Sequence, residues 1–148
     1  MSSDDDFENM VGEIQQKINY DEEKTYSKKV IKEYRNPINF GFIEKPDATG
    51  RVKGPCNDTM RIDLQVRNNM IYDARFWTDG CGASLACGNM LTSMIKGKNI
   101  EEIGDISSEQ LLEVLDGLPK EHQHCAKLAV NTLEKVIKNY YEKKKEIK

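Results

Sequence analysis

The chain has 148 residues, 38% hydrophobic and 32% charged, with a net charge of −3. That length suits one domain with its own core, the charge is too slight for wholesale nucleic-acid binding, and no run approaches the ~20 apolar residues that cross a bilayer. The acidic start (Asp4-Asp5-Asp6, Glu8, Asp21-Glu22-Glu23) lacks a secretory apolar region, so a cytoplasmic location with four reduced cysteines is expected. The basic end (Lys143-Lys144-Lys145, Lys148) and the acidic start both read as solvated termini.

Phe7, Met10, Val11, Ile14 and Ile18 recur with helical spacing, and the segment 1–25 reads as an N-terminal helical extension. A short helix carrying Tyr26, Val30 and Tyr34 follows, stopped by Asn36-Pro37. The glycines and prolines between 38 and 55 predict loop, with one short strand near Val52. Met60, Ile62, Leu64 and Val66 alternate with Arg61, Asp63 and Gln65, the pattern of a strand with one wet face. Asn68-Asn69 turns the chain, and Tyr72, Ala74 and Phe76 continue the alternation, which predicts an antiparallel hairpin.

Gly80-Cys81-Gly82 opens a helix bearing Ala86, Cys87, Met90, Leu91 and Met94, closed by Lys96-Gly97. Ser107 with Gln110 is a capping-box signal for a helix through Leu111, Leu112 and Leu115, ended by Gly117. Leu128, Ala129, Thr132, Leu133, Val136, Ile137, Tyr140 and Tyr141 mark a long C-terminal helix. Helices, a meander of strands, then helices make an α+β layout.

The chemistry gathers at three turns: Gly54-Pro55-Cys56-Asn57-Asp58, Gly80-Cys81-Gly82 and His122-Gln123-His124-Cys125. Together they offer thiols, a carboxylate and an imidazole, donors for a soft or borderline metal such as zinc or iron. None of the three cysteines is placed within an apolar stripe, so an exposed, exchangeable site is expected. Cys81, and Cys125 after Pro119, fall near helix starts, where free backbone N–H groups favour a thiolate. Cys56 and Asp58, two apart in an extended segment, would address one centre. His124 and Cys125, about 100° apart on a helix, would serve as alternating fourth ligands rather than together.

Cys87 shares a stripe with Met90, Leu91 and Met94 and reads as a buried, inert thiol. His122 is read as a surface neighbour of the site. The spacings are not paired C-x-x-C clamps. Two rival readings are scattered thiols without a common centre and a Cys–His nucleophilic enzyme using Cys125 or Cys81 with His124 as base. Nothing in the sequence supplies an oxyanion loop for the latter.

In its ordered motifs the chain resembles the U-type iron–sulfur cluster scaffold family, which comprises IscU and the N-terminal domain of NifU. The likeness starts at Tyr26-Ser27-Lys28-Lys29-Val30-Ile31 and Asn36-Pro37 and runs through Cys56-Asn57-Asp58 and Asp73-Ala74-Arg75-Phe76. It continues through Gly80-Cys81-Gly82 and Lys96-Gly97-Lys98 to Leu118-Pro119 and His124-Cys125. The resemblance implies a scaffold domain over 26–148: a three-stranded antiparallel sheet packed against several helices, with the site at one end.

It also implies ligand roles for Cys56, Asp58, Cys81, His124 and Cys125, with Cys125 as the persulfide-receiving thiol and Asp58 keeping the cluster labile. The implied function is assembly of a transient [2Fe-2S] cluster from iron and persulfide sulfur, without enzymatic turnover, zinc being able to occupy the apo site. Implied partners are a cysteine desulfurase, an electron donor such as ferredoxin, and acceptor apo-proteins. The alternative function is a zinc-bound sulfur acceptor that relays persulfide, and the blandest is a small structural zinc domain.

Three departures stand out. The family's chaperone-binding Leu-Pro-Pro-Val-Lys is Leu118-Pro119-Lys120-Glu121-His122 here, which argues against transfer assisted by a specialised Hsp70-type chaperone. Cys87 stands where familiar bacterial members have a small non-thiol residue, and the segment before Tyr26 is an extension. The stretch between Cys81 and Cys125 lacks the insertion of the zinc-dependent SufU branch, which favours a scaffold over a sulfur relay.

Overall fold

Helix α1 (Ser3–Thr25) and helix α2 (Lys28–Arg35) precede three strands, β1 (Ala48–Lys53), β2 (Thr59–Arg67) and β3 (Met70–Thr78). Helices α3 (Gly82–Ile95), α4 (Ser108–Val114) and α5 (His124–Ile147) follow, with single 3₁₀ turns at Ile103–Asp105 and Lys120–His122. This computed structural model describes residues 3–147, and within them the side chains of 3–5, 18–20, 146 and 147 are left aside. Of the residues that carry the patterns above, Lys148 therefore lies outside the described residues, as do the side chains of Asp4, Asp5 and Ile18.

The sheet has the order β1-β2-β3 and is antiparallel throughout. Asn68 and Asn69 both take positive φ, 53° and 63°, the backbone that a two-residue hairpin turn demands. The alternation read from the sequence fails just after this turn. A bulge between Gln65 and Val66 pairs Val66 with Ile71 and Gln65 with Asp73. The extra residue is Tyr72, which is thrown out to solvent under Arg67, while Ile71 takes the core position.

The wet face is also partly dry. The segment after α2 crosses it, and Asp63 is buried there, accepting from Ile43 N, Thr49 Oγ1 and Arg61. Such a carboxylate is tolerated inside because every lone pair is used. The same segment covers the free edge of β3, with Gly41 N donating to Phe76 O and Phe76 N to Asn39 O.

Helices α5 and α3 cover the inner face, and glycines set how closely they lie. A Cβ at Gly50 of β1 would sit 2.7 Å from Val136 N of α5, and one at Gly88 of α3 would sit 2.3 Å from the Phe76 ring. Met60, Ile62, Leu64, Phe76, Leu91, Ile95, Leu111 and Leu133 fill the core between them. Ser107 and Gln110 form the capping box expected for α4. Tyr26, read as helical, lies in the joint before α2, because Ser27 caps that helix by accepting from Val30 N and also donates to Leu115 O.

By contrast α1 leaves its described apolar stripe uncovered. Phe7, Met10, Val11 and Ile14 are exposed, and its last turn is held by Glu22 against Arg35 and the Tyr34 hydroxyl. No helix among the described residues is long and apolar enough to cross a membrane.

Candidate metal centre

Three chain turns converge at the end of the sheet where β1 stops, β2 starts and β3 ends. The first is the loop 54–58. Gly54 N donates to Asp58 O and Asn57 N to Gly54 O, and Asn57 adopts a φ of 66°. The segment is therefore a tight turn rather than extended. It leaves Cys56 exposed at its tip and carries Asp58 inward at the root of β2.

Beyond β3, the second turn is pinned by Gly80 N on Thr78 Oγ1 and by Thr59 N on Asp79 Oδ1. It delivers Cys81 as the residue capping α3. The third is the 3₁₀ turn Lys120–His122, which runs directly into α5, so that His124 is the first residue of that helix and Cys125 the second.

Side chains from all three turns meet. Cys81, His122 and Cys125 offer donor atoms within 4.8 Å of one another, and so do Asp58, His124 and Cys125. Cys125 belongs to both groups. Cys81 Sγ lies 3.9 Å from His122 Nδ1, and Cys125 Sγ lies 3.7 Å from His124 Nε2. A cleft of about 370 Å³ opens above them, lined by Cys56, Asn57, Asp58, Asp79, Gly80, Cys81, His122 and His124.

The electrostatics divide the two central thiols. The Cys81 thiol is held down to about 4, first because the Cys125 thiol donates to its sulfur. The Ser84 and Ala83 N–H groups at the open start of α3 and the nearby His122 act in the same direction, against the cost of burial, although no side-chain bond closes the cap. Cys125 is correspondingly pushed up, by that same bond to the Cys81 thiolate and then by burial, with the Ser84 hydroxyl opposing. Both shifts favour the negative charge on Cys81 over Cys125.

Beneath them, Ser84 Oγ is 3.3 Å from Cys125 Sγ and 3.2 Å from Asp58 Oδ2. The other carboxylate oxygen, Asp58 Oδ1, is buried with no hydrogen-bond partner. A buried carboxylate oxygen left bare is costly. Two thiols, two imidazoles and such a carboxylate suit a borderline divalent ion, which would supply the missing partner.

Three expectations change. Cys125 is fully buried rather than exposed, because it lies three and four residues before Leu128 and Ala129 and continues their apolar stripe. His124 and Cys125 do approach within ligand range, because the imidazole projects from the first position of α5 back across the thiol. Cys56 belongs to neither three-donor group and sits on the cleft rim. Cys87 is buried as expected, with its thiol pushed up to about 12 by burial. His122 lies beside the site as expected, on the cleft wall, while Ser84 joins Asp58 to Cys125 with no signal in the sequence.

The fold and this donor set define an α+β domain that gathers thiols, imidazoles and a carboxylate, the donor types of a metal site, at one end of a three-stranded sheet. Residues 25–147 match the NifU-like N terminal domain, and the chain belongs to that family. It is 44% identical over 119 residues to the iron-sulfur cluster assembly scaffold protein IscU 1 of Archaeoglobus fulgidus, covering 80% of this chain and 78% of the relative. It is 41% identical over 120 residues to the scaffold protein IscU of Haemophilus influenzae, covering 78% and 94% respectively. The crystal structure of a NifU-like protein (N-terminal) from Brucella abortus has the same fold, with a TM-score of 0.63 at 18% identity over 79% of this chain and 94% of that one.

Proposed function

We propose that the protein is a scaffold on which a transient [2Fe-2S] cluster is assembled and from which it passes to apo-proteins, rather than a turnover enzyme. The bare Asp58 Oδ1 beside two thiols and two imidazoles carries the reading. A sealed structural zinc site would close on four strong ligands. A hard carboxylate facing a soft pair instead favours cargo that arrives and leaves.

In this reading Cys81, already a thiolate, is the first donor to meet iron. Cys125 follows by losing its proton, and Cys56, Asp58 and His124 complete the ligand set. Sulfur enters as persulfide from a cysteine desulfurase. The Cys125 thiolate attacks the outer sulfur, a new S–S bond forms on Cys125, and the desulfurase cysteine leaves as thiolate. Each persulfide sulfur takes two electrons to become sulfide. For two sulfides, two iron(II) ions going to iron(III) supply half of the electrons, and a donor such as ferredoxin supplies the rest. A specialised Hsp70-type chaperone is not part of the proposal, given Lys120-Glu121-His122 after Pro119.

Anaerobic incubation with iron(II), cysteine, a reductant and a cysteine desulfurase tests it. Visible cluster absorption that passes to an apo-ferredoxin is the expected result. A colourless protein retaining one zinc per chain would overturn it in favour of a zinc-bound sulfur acceptor.

A further inference from the structure

Among the side chains that line the cleft is an imidazole outside the five motif donors, that of His122. His122 stands where the chaperone-binding motif of the family has lysine, and its Nδ1 is 3.9 Å from Cys81 Sγ. Its ring is not loose, since it packs against Tyr26 with centroids 5.8 Å apart. The 3₁₀ turn Lys120–His122 ends at this residue, and its side chain lines the cleft.

The two donor groups have one atom in common. Cys81, His122 and Cys125 form one, Asp58, His124 and Cys125 the other, and the Cys125 sulfur is the shared corner. Around a zinc-class ion, sulfur at ~2.3 Å and nitrogen at ~2.0 Å lie about 3.5 Å apart at the tetrahedral angle. The 3.9 Å between Cys81 and His122 and the 3.7 Å between Cys125 and His124 both fall within a modest opening of that angle.

We propose that His122 is a metal ligand, and that Cys81, His122 and Cys125 form a second three-donor position for a single iron(II)- or zinc-class ion beside the one at Asp58, His124 and Cys125. The first position holds two thiolates and an imidazole, the second a carboxylate, an imidazole and the shared thiolate. An ion can therefore step from one to the other while Cys125 stays bound. This rests on the scaffold reading for its purpose, as a place where an incoming ion waits, but not for its chemistry.

The test uses Zn²⁺ alone on the reduced full-length apo-protein. In the parent, the ¹⁵N resonance of His122 Nδ1 should shift to a metal-bound position as Zn²⁺ is added. The double variant Asp58→Ala/His124→Ala, which removes the other group, should still bind one Zn²⁺ per chain. Adding His122→Ala to it should weaken that binding about tenfold or more. An unmoved His122 Nδ1 at saturating Zn²⁺ in the parent would overturn the proposal without any variant having to fold. Equal affinity of the double and triple variants would overturn it too. Cluster assembly is read separately on the parent, so a colourless assembly reaction would sink the scaffold reading while leaving the Zn²⁺ result standing.

Discussion

Gly80 lies against Ser84 so closely that a Cβ there would sit 2.6 Å from the serine Oγ and 3.0 Å from Asp58 Oδ2. The hydroxyl so constrained is the one that touches both Asp58 and Cys125. Gly80→Ala should therefore displace Ser84 and spread the donors while the sheet and helices stay formed. Overpacking of this kind costs about 1–3 kcal/mol. Zinc titration and far-UV circular dichroism together check it: affinity should fall by tenfold or more with an unchanged spectrum, and undiminished affinity would show the contact to be yielding.

Cys87 offers a contrast within the same helix. Burial pushes its thiol up to about 12 and leaves no surface for a reagent. In the native apo-protein at pH 8, iodoacetamide should modify Cys56 and Cys81 and miss Cys87 until the chain is unfolded. Peptide mass spectrometry reads this directly. Cys87→Ser should retain metal uptake, whereas Cys56, Cys81 and Cys125 changed together to Ser should lose it. Equal loss in the two would make Cys87 a ligand.

Much of this was legible in the chain. The period-2 run Met60–Val66, the Asn68-Asn69 turn and the Ser107/Gln110 box are local signals, and local hydrogen-bonding geometry honours them. The bulge that ejects Tyr72 was not, since one inserted residue leaves the alternation intact on each side of it. Asp63 looked solvent-facing because the sequence does not reveal that residues near Ile43 cross the sheet.

At the site, the order of turns carrying Cys56, Asp58, Cys81, His124 and Cys125 was readable, and so was the exposure of Cys56 and Cys81, but the burial of Cys125 was not. Cys125 continues the stripe of Leu128, Ala129, Thr132 and Val136, and which side of α5 faces the sheet is fixed at the Gly50–Val136 contact, far along the chain. His122 reaches the cleft only because the chain turns as a 3₁₀ segment before α5 begins.

Proton release on metal binding should report the charge shared by Cys81 and Cys125. With Cys81 held down to about 4, it should meet an incoming ion as a thiolate and give up no proton. Cys125 is pushed up and must lose its proton to bind. In Cys56→Ser, which removes the rim thiol from the count, Zn²⁺ should release about one proton per ion near pH 8. Affinity should then fall about tenfold for each unit of lowered pH just below that, because Cys125 competes for its proton. Calorimetry in buffers of different ionisation enthalpy gives the number. A value near two would mean that Cys81 is protonated in the apo-protein.

The last prediction separates sulfur delivery from metal holding. Cys125 is buried, protonated and covered by Ser84, so it is a poor nucleophile at rest. Uncovering it should therefore depend on the desulfurase or on metal drawing off its proton, and persulfide should form slowly on the isolated apo-protein given small persulfides. Cys125→Ser should abolish persulfide on the protein while zinc remains bound, more weakly, through Cys81 and His122 with Cys56, His124 or Asp58. His124→Ala should leave Cys125 able to accept sulfur but shorten the life of the assembled cluster, since one donor 3.7 Å from that thiol is gone. Intact-mass spectrometry after reaction with cysteine and a desulfurase decides between them. An undiminished added-sulfur peak on Cys125→Ser would move the acceptor role to Cys56 or Cys81, the two exposed thiols of the cleft.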